Sequence, residues 1–231
     1  MRLDKFLSQY TDYSRSLVQQ AIKAGRVTVD DVIAKKGDQK ISGNEIITLD
    51  EKPVEAFQTR YLMLHKPAGY VCANSDSEYP VVVDLIRLPR WQELQIVGRL
   101  DLDTTGLVLL TDDGKWNHRI TSPRSECAKI YRVTTANPIA PETAELFATG
   151  VQLHGEKALT RPAQLELISS HEARLQIHEG KYHQVKRMFA AAGNLVVGLH
   201  RESIGDIQLD AALAPGEYRA LTADEIKSVA P

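Results

Sequence analysis

Cysteine is scarce in this chain of 231 residues: Cys72 and Cys127 are the only two. They lie far apart and fit no zinc or redox spacing, which argues against a disulfide scaffold, a zinc ribbon or a thioredoxin-like motif. They read as reduced thiols in a cytoplasmic protein. Long apolar runs are also missing. None approaches the roughly 18 residues that a membrane span needs, and the opening MRLDKFLSQYTDYSR lacks the apolar core of a secretory signal. No membrane partner is expected. The two tryptophans, Trp91 and Trp116, are too isolated to form a stacking platform. The histidines are scattered, and His178 and His183 are not spaced as a helical metal pair, so no metal is expected. Charge of one sign does not dominate either. The net charge is −2, so global charge does not announce a nucleic-acid binder.

What is present is an ordinary soluble composition, 43% apolar and 25% charged, in a chain long enough for a large and a small domain. Local charge says more than the total. Five Lys or Arg and a single acid, Glu126, lie between Lys115 and Arg132, and four Lys or Arg with no acid lie between Lys181 and Arg201. Phosphate contacts respond to such patches whatever the charge elsewhere. Two solvated faces are the competing reading.

The first ~50 residues read as a module of their own. Leu3, Phe6 and Leu7 have helical spacing. In SRSLVQQAIKAGRV, Ser14 suits an N-cap, Leu17, Val18, Ala21 and Ile22 form an apolar stripe, and Gly25 supplies a stop. RVTVDDVIAKKG alternates like a strand, turns at Asp30 and Asp31 and starts again; NEIITLD follows as a further strand. Arg2, Lys5, Arg15, Lys23 and Arg26 can surround the helix pair, a geometry that suits RNA phosphates. RLDKFL followed by SRSLVQQAIKAGRVTVD resembles the RNA-binding module first named for ribosomal protein S-four, although that family usually has Gly in the hairpin turn where this chain has Asp31. Residues 1–50 are assigned to this domain, 51–60 to a polar linker containing Pro53, and 61–231 to a larger domain.

From Tyr61 onward strands dominate. YLMLHK, VVVDLI, LQIVG, GLVLLT, KIYRVTT, AQLELI and EARLQIHE are predicted strands; APETAELFATG, KYHQVKRMFAAAGN and TADEIKSV are predicted helices. TDDG, at 111–114, reads as a hairpin turn. The fold class is α+β, with a mixed, mostly antiparallel sheet in the larger domain.

One stretch carries chemistry. VGRLDLDTTGLVLLTDDG places Arg99, Asp101 and Asp103 at alternate positions before an apolar strand, where an extended segment would put them on one face. On spacing alone a tight turn, a metal site and a glycosidase-like carboxylate pair compete. Asp103 reads as a turn cap, through bonds to local N–H groups.

The wider context is more specific. GRLDLDTTGLVLLTDDG is similar to the signature of RNA pseudouridine synthases. HKPAGYVC resembles that family's KP-x-G segment, AKIYRV its Lys/Arg-x-Tyr strand, and EGKYHQVKRMFAAAGN its QIRRM-type helix. Four segments in the right order, with the amino-terminal module, cover nearly the whole chain. YHQVKRMFAAAGN and HRITSPR look especially close to the group acting on the small-subunit 16S ribosomal RNA.

The resemblance implies isomerisation of one uridine (position 516 in the enterobacterial count of that RNA) to pseudouridine, without a cofactor, since nothing is oxidised and nothing leaves. Asp101 corresponds to the catalytic aspartate, Tyr131 to the tyrosine that packs on the target uracil, and Lys186 to the basic residue paired with the aspartate. Arg is common at that last place in the wider family, so whether Lys186 or Arg187 reaches Asp101 stays open. Arg99, Arg119, Arg124, Arg132, Lys181, Arg187 and Arg201 are candidates for gripping phosphates of 16S ribosomal RNA or of a small-subunit assembly intermediate. A monomer is expected. The rival readings are a non-catalytic RNA-binding assembly factor and a hydrolase using Asp101 and Asp103.

Overall fold

A computed structural model of the chain describes residues 1–55, 59–122 and 124–229; residues 56–58 of the expected linker and Pro123 of HRITSPR lie outside the described residues. The chain divides into two compact units, Met1–Gln58 and Thr59–Pro231.

In the first unit, α1 (Leu3–Tyr10) and α2 (Arg15–Lys23) share one apolar core. The Ser14 hydroxyl caps α2, accepting from the Leu17 amide at 3.3 Å. Leu17 itself is exposed; the buried stripe is the narrower Val18, Ala21 and Ile22, which follow i, i+3, i+4 spacing. Strands β1 (Val27–Val29), β2 (Val32–Ile33), β3 (Ile47–Leu49) and β4 (Lys52–Pro53) form an antiparallel sheet in the order β2-β1-β3-β4. Two of its turns have both central residues at positive φ: Asp30 and Asp31 (48° and 63°), and Asp50 and Glu51 (53° and 65°). This is the twist-matched geometry of two-residue hairpins, which Asp tolerates better than most residues. Asp30 also accepts the Ile46 amide at 2.9 Å, which helps hold the first turn. β4 falls inside the stretch expected to be linker, and Val54 packs on the same core. Pro53 is accommodated because β4 is an edge strand with no ladder N–H to supply.

The second unit is built on β5 (Tyr61–Lys66), β6 (Gln95–Val97), β7 (Thr105–Thr111), α3 (Gly114–Thr121), β8 (Lys129–Thr135), α4 (Thr143–Thr149), β9 (Gln164–Leu167), β10 (Glu172–Ile177), α5 (Gln184–Ala191), β11 (Val196–Ile204), β12 (Ile207–Gln208), β13 (Tyr218–Ala220) and α6 (Ala223–Ser228). Its sheet runs β13-β5-β7-β11-β8-β10-β9, with β12 on β11 and β6 on β7. The pairings are antiparallel except β7 with β11. β7 is covered on both faces: Val108 and Leu110 enter one core cluster, Leu107 and Leu109 the other. That is why its sequence is an unbroken apolar run rather than an alternating one.

Two predicted elements differ, and β11, β12 and β13 are strands beyond the predicted ones. TDDG is a helix start, not a hairpin turn: Asp113 caps α3, its Oδ1 accepting from the amides of Lys115 and Trp116, and Trp116 and Ile120 bury one face. VVVDLI forms a short 3-10 helix, Val82–Leu85, instead of a strand. β11, with nine residues and a place at the sheet centre, was not among the predicted strands.

Two packing constraints shape the loop before β7. Gly106 (φ +104°) lies against β11 so closely that an added Cβ would stand 2.3 Å from the Arg201 carbonyl oxygen. Lys66, at the end of β5, is fully buried, and its ammonium donates to the carbonyls of Pro67 (3.0 Å), Leu102 (3.2 Å) and Thr104 (2.7 Å). Burial pulls its pKa below the ordinary lysine range.

Gly106→Ala combines a forbidden contact with an unfavourable φ. It is expected to lower unfolding free energy by more than about 2 kcal/mol, measured by urea denaturation. Lys66→Met would remove the donor from three carbonyls. The expected result is a loss of about 2–4 kcal/mol and faster hydrogen exchange at the Gly69 amide, which bonds the Leu102 carbonyl, and the Thr104 amide, which bonds that of Asp101.

Candidate active site

The loop from Gly98 to Thr104 is held from two sides. Lys66 binds its Leu102 and Thr104 carbonyls. From β11, Arg201 donates to the Gly98 carbonyl at 2.6 Å and to that of Leu107 at 2.8 Å. The Leu100 amide donates to Cys72 Sγ at 3.3 Å. The loop turns at Leu102 and Asp103 instead of continuing extended, so the one-face expectation for Arg99, Asp101 and Asp103 does not hold as a strand pattern.

The Asp101 carboxylate is 28% exposed. Its Oδ1 lies 3.3 Å from His183 Nε2 and its Oδ2 3.5 Å from Lys186 Nζ. His183 and Lys186 are three apart around the first turn of α5, which places both on the side facing the loop. His183 takes a left-handed backbone conformation (φ 47°) to begin that helix, a strained choice for a non-glycine residue. Lys186 is held more tightly by Asp103, at 2.6 and 2.8 Å. Burial pushes the Asp103 carboxyl up, but the hydrogen bond and charge of Lys186 outweigh it and hold the group below the usual carboxylate range. A carboxyl depressed in this way contributes to stability above its unfolded pKa and loses that contribution as the pH falls through the folded one. Asp103 is therefore Lys186's partner, and its carboxylate also accepts a local bond from its own backbone N–H.

Tyr131 projects from β8, where it faces Arg201 of β11 across the ladder. Arg201 Nη1 donates to its hydroxyl at 3.3 Å, and the guanidinium carbon lies 5.9 Å from the ring centroid. Asp101 and Tyr131 line one cleft of about 1010 Å³. They also line a smaller recess of about 90 Å³ walled by Ile177, Val185 and Leu199. Thr104 lines that recess too; its hydroxyl is buried and meets no partner among the described residues. Lys129 lines the cleft with its ammonium on the Cys127 carbonyl at 2.6 Å, and burial lowers its pKa.

The structure sorts the candidate cations. Arg201 is 1% exposed and entirely engaged below the site, so it is not a surface phosphate ligand. Arg187 does not reach Asp101. It bonds Glu156 and the carbonyls of Tyr182 and His154, which leaves Lys186 as the aspartate's cation. Lys181 is also paired with Glu156, at 3.1 Å. Arg132 pairs with Glu172, Arg2 with Asp4, and Arg26 with Asp50. Arg99 is exposed at the rim of the cleft. Arg119 and Arg124 are exposed around a separate hollow of about 490 Å³, and Lys5, Arg15 and Lys23 are exposed on the first unit. Two participants were not singled out from the sequence as site residues. Lys66 stood in the quoted HKPAGYVC, where a lysine ending an apolar strand is the available signal. His183 carried no signal beyond its place in the helix motif.

Among the described residues no group of His, Cys, Asp and Glu is arranged to hold a metal, and no helix is long and apolar enough to cross a membrane.

Residues 60–191 match the RNA pseudouridylate synthase family model, and residues 1–47 match the S4 domain. The chain is 54% identical to ribosomal small subunit pseudouridine synthase A of Yersinia pestis, over 99% of this chain and 98% of that one. It is also 54% identical to the protein of the same name from Escherichia coli K12, over 99% and 100%. The crystal structure of a pseudouridylate synthase superposes with a TM-score of 0.73 at 46% identity, covering 99% of both chains. With an aspartate loop, a tyrosine strand and a lysine helix meeting at one cleft, in a chain that matches these relatives from end to end, the protein belongs to the RNA pseudouridylate synthase family and carries an S4 domain at its amino terminus.

Proposed function

We propose that this enzyme converts a single uridine of 16S ribosomal RNA (position 516 in the enterobacterial count) to pseudouridine, with Asp101 as its one catalytic carboxylate. The observation that carries this reading is the setting of Asp101. It is a partly desolvated carboxylate held between His183 and Lys186, on a wall shared with Tyr131.

A uridine stacked in RNA must first leave its stack to reach a carboxylate at the back of a cleft. Asp101 then begins base release by one of two routes: attack on C1′, forming a covalent ester as the N1–C1′ bond breaks, or removal of the C2′ proton. Both start from the same oxygen atoms. The detached ring must turn so that C5 takes the place of N1. That turn exchanges O2 with O4 while N3 stays on the axis, so a pocket of flat aromatic and aliphatic walls can hold the ring before and after. Tyr131 with Ile177, Val185 and Leu199 provides such walls. C5 then bonds C1′, its proton passes to solvent while N1 takes one up, and Asp101 is regenerated. No atom is gained or lost, so no cofactor is required.

The S4 module adds affinity and orientation through the exposed Lys5, Arg15 and Lys23 along its helices, with Arg2 and Arg26 beside them. Arg99 is placed to meet a phosphate next to the target, with Arg119, Arg124 and Arg132 more distant candidates. Lys181, Arg187 and Arg201 act instead by ordering the site. The reading places the enzyme in the cytoplasm, as a monomer acting on 16S ribosomal RNA or on a small-subunit assembly intermediate.

The test uses RNA tritiated at uracil C5. Wild-type protein is expected to release tritium from small-subunit ribosomal RNA, and Asp101→Asn to lower the rate by about 10⁴-fold or more while still binding RNA. Equal behaviour of the two proteins would remove the enzymatic role of Asp101, and free uracil among the products would identify a hydrolase instead.

A further inference from the structure

Tyr182 is the most exposed aromatic residue named at the cleft: its side lies open at 74% of full exposure, yet it lines the same cleft as Asp101. Its ring is not loose. It stacks on the His183 imidazole with centroids 3.8 Å apart and planes 20° from parallel. The backbone beneath it is fixed as well. The Tyr182 carbonyl accepts from Arg187 Nη1 at 2.9 Å, and Arg187 and the neighbouring Lys181 share Glu156. His183 is held in turn by its left-handed start to α5 and by its approach to Asp101.

We infer that Tyr182 is a stacking subsite for the unpaired base next to the flipped uridine. The inference rests on the reading that the cleft receives a uridine drawn out of an RNA stack. Extracting one nucleotide exposes a face of its neighbour to water. An ordered aromatic face at the mouth of the cleft replaces the lost stacking partner, and His183 behind it extends the stack inward. A large apolar ring left in water on an anchored loop is the arrangement used by proteins that bind single-stranded bases by their faces. A pre-ordered ring loses little freedom on binding, so most of the stacking energy is retained. The ligand class is a purine or pyrimidine base in single-stranded form, with its phosphate toward the rim where Arg99 is exposed.

The experiment compares wild type with Tyr182→Ala, Tyr182→Phe and Tyr182→Trp, using a full-length small-subunit ribosomal RNA transcript. Equilibrium binding and tritium release are both measured. Tyr182→Ala is expected to weaken Kd and raise KM by about tenfold, within the range of one base stacked on one aromatic ring. The phenylalanine and tryptophan variants should restore both values. The slope of log affinity on log salt should not change, because no phosphate contact is lost. An active wild type with unchanged Kd and KM in Tyr182→Ala overturns the subsite and leaves the isomerase reading intact. A phenylalanine variant as weak as alanine assigns the effect to the hydroxyl and also overturns it. If wild type binds RNA but releases no tritium, while alanine weakens binding and tryptophan restores it, the subsite stands and the isomerase reading falls. If wild type does not bind this RNA, both fall.

Discussion

The catalytic unit depends on two buried cations that neutralise no buried acid. Lys66 and Arg201 both spend their donors on main-chain carbonyls around the loop that carries Asp101. Removing a charge from water costs several kcal/mol even after relaxation, so such a cation persists only where enough oxygen atoms are aimed at it. Three carbonyls meet Lys66, two of them from the loop. Two carbonyls and a phenol meet Arg201. Because carbonyls supply the compensation, the carboxylate of Asp101 remains available to the cleft. The same arrangement explains the glycine at 106, since Arg201 can reach behind β7 only where the two backbones touch without a side chain between them.

The elements with a strong period or a clear cap were legible in the sequence. The Ser14 start, the apolar β7 and the alternating β8 all carry their own signals. Elements whose residues serve neighbours far along the chain were hidden. β11 contains Gly198, His200, Arg201 and Glu202, which read as a polar connection. In the sheet, Arg201 is buried for its contacts to Tyr131 and the Asp101 loop, and His200 bonds Thr105 across the parallel pairing. No local pattern announces that purpose. The Val82–Leu85 turn shows the converse ambiguity. A short apolar run fits a strand or a helical turn equally well, and tertiary packing of Val82, Val83 and Ile86 decides.

The candidate site was legible in its parts and not in its pairings. Asp101, Tyr131 and Lys186 stand in separate motifs; the structure brings Asp101 and Tyr131 to one cleft and sets the Lys186 ammonium 3.5 Å from the Asp101 carboxylate. Counting acids along the chain leaves out those that folding brings to the second basic stretch. The segment from Lys181 to Arg201 has no acid of its own, yet Glu156 reaches it from one side and Asp103 from the other. Local charge density measures how much positive charge a segment brings, whereas folding determines how much remains unpaired for a phosphate.

The reach of Arg201 has a mechanical meaning. One guanidinium grips the Gly98 end of the aspartate loop and the phenol of Tyr131 at once, so these parts cannot drift independently. A displacement of β11 would pass through that guanidinium to both walls of the cleft and tend to keep their separation constant. An enzyme that must keep hold of a ring cut loose from its sugar gains from such correlated motion, because the chamber can travel without opening.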